Sequence, residues 1–229
     1  MSQILSPAES EALLLSLQVS LVAVLAALPL AFAAALALAR WRFAGKPLLD
    51  GLIHLPLVLP PVAMGFVLLE VFGTRAAVGG FLLAHFGLRF VFRWTGAALA
   101  SAVITFPLQV RAIRQALEGA DRRLGEAART LGARTWDRLI NLTLPLAWPG
   151  ILSGAITAFA ASLGEFGAII TFASNIPGET QTLPLAIYAA LQEPGGELEA
   201  ARLCGLSILL ALLVVTAGEF VKRELSHEP

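Results

Sequence analysis

The side chains of this chain that could do chemistry are sparse and sit in apolar surroundings. Glu165, in the run SLGEFGAIITF, follows a long uncharged stretch, and Glu70 closes another. A carboxylate at mid-membrane costs about 2.5–3.5 kcal/mol on insertion scales, so such an acid either marks a translocation region or caps and pairs locally near the end of a span. The local reading is taken for both, with direct substrate contact as the alternative. His54, His85 and His227 are scattered, and with the lone Cys204 they make no metal-ligand set, so no metal is expected. The histidines read as structural or solvated, and Cys204 as a buried core thiol. A Gly-x4-Gly-Lys-Ser/Thr phosphate loop is missing, because Gly45-Lys46 is followed by Pro47 and lacks the first glycine. No nucleophile, base and acid stand together. The chain is therefore expected to have no catalytic residue and no cofactor of its own.

The elements that position these residues are long apolar runs. With 57% hydrophobic and 14% charged residues, the composition is far from that of a water-soluble domain. Ala12–Ala39 carries no charge for about 28 residues, more than the roughly 20 a bilayer needs. Further spans are predicted at about 51–73, 94–116, 146–173 and 200–221. Arg93 and Arg111 can snorkel from the ends of the third. No Lys or Arg precedes Arg40, so the first run lacks the basic region of a signal peptide and reads as a retained span. The expectation is an all-α, polytopic chain of five spans forming a single membrane domain over 1–229. Two apolar pieces, Phe81–Phe86 and the TLPLAIYAALQ run, are too short to cross, and a sixth span in the second is the main rival to this count.

Basic residues give the orientation. Arg40, Arg42 and Lys46 follow the first span. Arg111, Arg114, Arg122, Arg123, Arg129, Arg134 and Arg138 follow the third, and Lys222 and Arg223 the fifth, so twelve of the 16 Lys and Arg residues share one side. Arg75, Arg89, Arg93 and Arg202 fall opposite. The N-terminus is thus expected outside and the C-terminus in the cytoplasm. Within the second span, Pro56, Pro60 and Pro61 each remove a backbone donor. Carbonyls freed at membrane depth are tolerated only against protein or a water-filled path, so this span reads as broken and pore-lining, against the alternative of a kinked packing helix. Pro29 and Pro107 stand singly and read as ordinary kinks.

Between the third and fourth spans lies a polar, Arg-rich island, about residues 119–145. Leu124, Ala127, Ala128 and Leu131 form one helical stripe, and Trp136, Leu139 and Ile140 form a second after Gly132. A glycine between two short amphipathic pieces suggests helix, turn, helix. The island is too charged for lipid, yet its apolar faces need a partner, which marks it as a docking surface on the cytoplasmic side.

Its pattern resembles the EAA loop of ABC importer permeases: Glu126, Ala127, Ala128, Gly132, Leu144 and Pro145 fall in register, with Leu142 in place of the family's isoleucine. HLPLVLPPVAMGFVLL, the Phe106–Arg111 segment and SLGEFGAIITFASNIPGETQTLPLAIY are similar to the molybdate branch of these permeases, and Ser174–Thr182 is the most discriminating piece. The resemblance implies a type I importer permease in the cell inner membrane that homodimerises around a central path. It further implies two cytoplasmic ATPase subunits that bind ATP, and a periplasmic binding protein that delivers molybdate or tungstate. Coupling to the ATPase is assigned by this resemblance to Glu126, Ala127, Ala128, Gly132, Trp136, Leu144 and Pro145. A tetrahedral oxyanion wants hydrogen-bond donors, and the hydroxyls of Ser101, Thr105, Ser153, Thr157, Ser162 and Thr171 could line a weakly binding path beside Pro60, Pro61 and Glu165. For any one of these hydroxyls, packing helix against helix is the ordinary use. A sulfate or thiosulfate permease shares the architecture, a proton-coupled secondary transporter would need internal acid and base relays, and a structural membrane scaffold would move nothing.

Overall fold

A computed structural model describes residues 5–226, which leaves His227 outside the described residues. Among these residues every regular element is helical. The first helix, α1 (Pro7–Arg40), starts at a capping box: Ser6 Oγ accepts from Glu9 N at 3.2 Å and Glu9 Oε2 accepts from Ser6 N at 2.7 Å. Next come α2 (Lys46–Val58), α3 (Pro61–Phe72), α4 (Ala77–Phe86) and α5 (Trp94–Gly119). Two short pieces, α6 (Arg122–Thr130) and α7 (Thr135–Arg138), lead through a π-helical turn at Leu139–Thr143 into α8 (Leu144–Leu163). The chain closes with α9 (Gly167–Phe172), α10 (Leu183–Gln192) and α11 (Glu197–Ser226).

Helices α1, α5 and α8 form the centre because each carries a seam of small residues. Ala23, Ala27, Ala31, Ala35 and Ala39 recur every fourth position on the buried side of α1. On α8 the same spacing gives Gly150, Gly154 and Ala158, all buried. A side-chain carbon added at Gly150 would lie 2.6 Å from Ala116 Cβ and 2.7 Å from Ala112 O, so the backbones of α5 and α8 meet there. In lipid, where apolar surface gains nothing from leaving the solvent, such close packing is what holds helices together. Pro29 and Pro107 lie inside the continuous helices α1 and α5.

The second apolar run breaks in two. Helices α2 and α3 meet at Leu59–Pro60 and are bent by 118°, because successive prolines supply no N–H there and push the preceding residue to extended geometry. The pair still joins the two ends of the bundle. Leu49 and Ile53 of α2 pack with Leu38, Ile113 and Leu117 at the basic end, whereas Leu68 and Phe72 of α3 pack with Val19, Val91 and Ala97 at the other. Counted as one crossing, it makes five with α1, α5, α8 and α11. At ten residues each, α4 and α10 are about 15 Å long, half of a hydrocarbon core. The run expected as a span at 146–173 also divides: α8 stops at Leu163, and Gly164–Phe166 turn the chain into α9. Cys204 is exposed, contrary to the expected core thiol. Helix α11 packs along one face, through Ala200 and Leu203, and Cys204 falls on the other.

Candidate coupling element and translocation path

At the basic end α6 and α7 project as two short helices at an angle set by one residue. Asp121 caps α6, its Oδ1 accepting from Arg123 N at 2.9 Å. The helix closes with Leu131 N donating to Ala127 O, Gly132 N to Arg129 O and Ala133 N to Ala128 O, all at 3.0 Å. Gly132 reaches this turn at φ +83°, in the left-handed region that only glycine enters freely. Asp137 Oδ2 then accepts from Arg134 N at 3.1 Å and opens α7. The wider π turn that follows ends at Pro145, which has no N–H to offer the preceding turn.

The apolar side chains of this element point away from the bundle. Leu131 is 87% exposed, Trp136 72% and Ile140 57%. Glu126, Ala127, Gly132, Leu144 and Pro145 are exposed as well, and Ala128 and Leu139 are half-buried. This exposed apolar face is rimmed by Arg123, Arg129 and Arg134. The structure therefore places Glu126, Ala127, Ala128, Gly132 and Trp136 on the α6–α7 element, and Leu144 and Pro145 at the start of α8 that follows it.

The path candidates are not brought onto one surface of the protomer. Ser101, Thr105, Ser162 and Glu165 are buried within the protomer, on the packed sides of α5 and α8 and in the turn after α8. Thr105 Oγ1 donates to Ser101 O at 2.8 Å, Thr157 Oγ1 to Ser153 O at 2.8 Å, and Thr171 Oγ1 to Gly167 O at 2.8 Å. These bonds to the preceding turn satisfy a hydroxyl inside its own helix, the cheapest partner where water is absent. Pro60, Pro61 and Thr157 are exposed, and Ser153 and Thr171 are half-buried. Glu165 Oε1 accepts from Ala168 N at 2.8 Å, so it caps α9, the local role expected of it. Glu70 is exposed near the end of α3. Sequence reasoning missed Gln109, which is buried and donates from Nε2 to Val24 O at 3.4 Å. Its signal was the i+4 spacing from Ser101 and Thr105, which sets a polar stripe along α5. It also missed the pair of Arg114 with Asp50 across 64 residues. Among the described residues no group of three or more His, Cys, Asp or Glu is placed to hold a metal.

Four helices long and apolar enough to cross a membrane, or five with the bent pair counted as one, surround a small-residue core and define an all-α polytopic membrane protein. Residues 27–219 match the model of the family described as binding-protein-dependent transport system inner membrane component, and the chain belongs to that family. The molybdenum transport system permease protein ModB of Escherichia coli (strain K12) is 55% identical over 220 residues, 96% of each chain. The protein of the same description from Haemophilus influenzae is 51% identical over the same shares. The sulfate transport system permease protein CysT of Escherichia coli (strain K12) is 36% identical over 194 residues, 83% of this chain and 70% of that one. Among solved structures, a bacterial alginate ABC transporter in complex with an alginate-bound periplasmic protein superposes with a TM-score of 0.76 at 18% identity, covering 97% of this chain and 81% of the other. An amino acid ABC transporter gives 0.65 at 17% identity, covering 95% and 94%. At such identities the structural likeness concerns the fold.

Proposed function

We propose that this chain is the membrane-spanning permease subunit of an ATP-driven importer that moves molybdate, or the isosteric tungstate, across the inner membrane by alternating access. The observation that carries the reading is the 55% identity to a molybdenum permease over 96% of both chains, against 36% over 83% for a sulfate permease. Two copies of the chain enclose the path, a periplasmic binding protein delivers the oxyanion, and two cytoplasmic ATPase subunits bind the ATP. The N-terminus lies in the periplasm and the C-terminus in the cytoplasm, a reading supported by the twelve basic residues on one side.

The projecting α6–α7 element supports the coupling half of this reading. Its exposed Leu131, Trp136 and Ile140 offer an apolar knob, and Glu126 and the surrounding arginines offer charge for register. Closure of the ATPase pair displaces the knob, and the displacement passes into α5 and α8, between which the element is strung. Two permeases moving as rigid bodies then open the path on alternate sides. Weak, dispersed contacts suit the conduit, because a tight site would hold the ion. Cells lacking this permease test the reading: molybdoenzyme activity should fall at trace molybdate and return at high molybdate. Loss of sulfur assimilation with molybdoenzymes intact would sink it.

A further inference from the structure

An ion-pair cluster at the basic end belongs neither to the projecting element nor to the path candidates. Arg114 on α5 donates from Nη1 to Asp50 Oδ2 of α2 at 3.0 Å, and from Nε to Glu118 Oε1 at 2.8 Å. Asp50 Oδ1 lies 3.2 Å from His54 Nδ1. With Arg111 and Gln115 these groups line an open cavity of about 370 Å³, which leaves the guanidinium room to follow a moving partner.

The surroundings of the pair give it a consequence. Helix α2 is thinly held: among its described residues Ile53 alone is buried, while Leu52, Leu55, Leu57 and Val58 are exposed. Its far end is the break at Leu59–Pro60, beyond which α3 is pressed onto α9, with a carbon added at Gly65 falling 2.7 Å from Ala168 O. So α2 lies between a proline hinge and an end held by the Leu49 and Ile53 packing and the Asp50–Arg114 contact. Arg114, for its part, lies five residues before the end of α5 at Gly119, and only Ala120 and Asp121 separate that end from α6. A tilt of α6 therefore turns the stretch of α5 that bears Arg114, since helices transmit displacement as rigid elements.

We infer that Arg114 is a positioning residue that carries movement of the α6–α7 element to α2, the first half of the broken span, by gripping Asp50 while Glu118 holds the guanidinium in aim. The inference rests on the coupling reading above. A partly exposed ion pair, with side chains 25% and 36% exposed, contributes little to stability, so this contact sets the direction of a motion and can be remade in each cycle. It requires opposite charges at positions 50 and 114 and at 114 and 118 rather than these particular residues, so an exchange of charges made together with Glu118→Lys preserves it.

The test uses the permease with its ATPase and molybdate-loaded binding protein in proteoliposomes. Four variants are compared: Asp50→Arg, Arg114→Asp, the double exchange made together with Glu118→Lys, and the neutral Asp50→Asn. The readouts are ATPase co-purification and the ATP hydrolysed per molybdate imported. Each single reversal should leave the complex assembled and raise that ratio about ten-fold, with Asp50→Asn raising it less, and the double exchange should return it to within about three-fold of wild type. A wild-type ratio in both reversals, or a double exchange no better than the singles, would overturn the inference. Should a reversal fail to assemble, an unchanged ratio in Asp50→Asn overturns it and a raised one supports it. A wild-type complex that hydrolyses ATP but imports no molybdate would instead overturn the proposed function, which keeps the two failures apart.

Discussion

Gly132→Val is the substitution whose effect follows most directly from the geometry. Gly132 stands at φ +83°, and a carbon added there would meet nothing within 4 Å. The penalty is therefore purely backbone strain, with no clash and no lost core contact. Holding a non-glycine residue in left-handed space costs about 1–3 kcal/mol, and a β-branched one sits at the upper end. That free energy shifts the local equilibrium of the turn about 5- to 150-fold toward conformations in which φ is negative. In those conformations the Gly132 N to Arg129 O and Ala133 N to Ala128 O bonds are lost and α7 leaves its angle to α6. The bundle is untouched, so the variant should insert and dimerise normally. Transport should fall severely, through weaker ATPase association or coupling. Gly132→Asn supplies the control, because asparagine tolerates the left-handed region and should stay near wild type. The assay is co-purification of the ATPase together with substrate-stimulated ATP hydrolysis. Wild-type levels of both in Gly132→Val would refute the docking role of this element.

Three further outcomes are expected. Reporter fusions after Ser6, Gly45, Gly80, Gly119, Gly178 and Ser226 should alternate outside and inside in that order; an external report after Ser226 would break the five-span topology. Gly150→Val forces a carbon to within 2.6 Å of Ala116 Cβ and should cost about 1–3 kcal/mol of bundle stability, read as a lower thermal midpoint in detergent, with an unchanged midpoint refuting the close α5–α8 contact. Glu165→Ala removes the cap on Ala168 N and should lower the thermal midpoint in detergent by the equivalent of about 0.5–2 kcal/mol, while Glu165→Gln keeps an acceptor and leaves substrate dependence of transport intact. A changed substrate dependence in Glu165→Gln would favour direct contact instead.

What the sequence made legible were the features written in local runs. Uncharged stretches announce the helices, the Pro60–Pro61 pair announces the break, and Gly132 between two amphipathic stripes announces the turn it makes at φ +83°. The carboxylate of Glu165, three residues before the N–H it caps, is equally local. What stayed hidden depends on partners far along the chain. Glu9 is only 2% exposed and meets Arg202 at 3.0 Å, and Ser16 Oγ accepts from Leu183 N at 2.7 Å, yet nothing near either position names its partner. Burial was the weakest reading for the same reason. In an apolar helix every side suits either lipid or protein, so composition could not tell that Cys204 faces outward or that Ser101 and Ser162 face inward. The six hydroxyls were grouped by type, whereas the fold distributes them by helix face.

The measurement that bears most directly on the whole account is substrate-dependent ATP turnover and uptake by the reconstituted complex, with the binding protein loaded in turn with molybdate, tungstate and sulfate. Molybdate and tungstate should each stimulate hydrolysis and accumulate inside the vesicles only when ATP is present, and sulfate should do neither. Accumulation without ATP, or sulfate matching molybdate in both readouts, would contradict it.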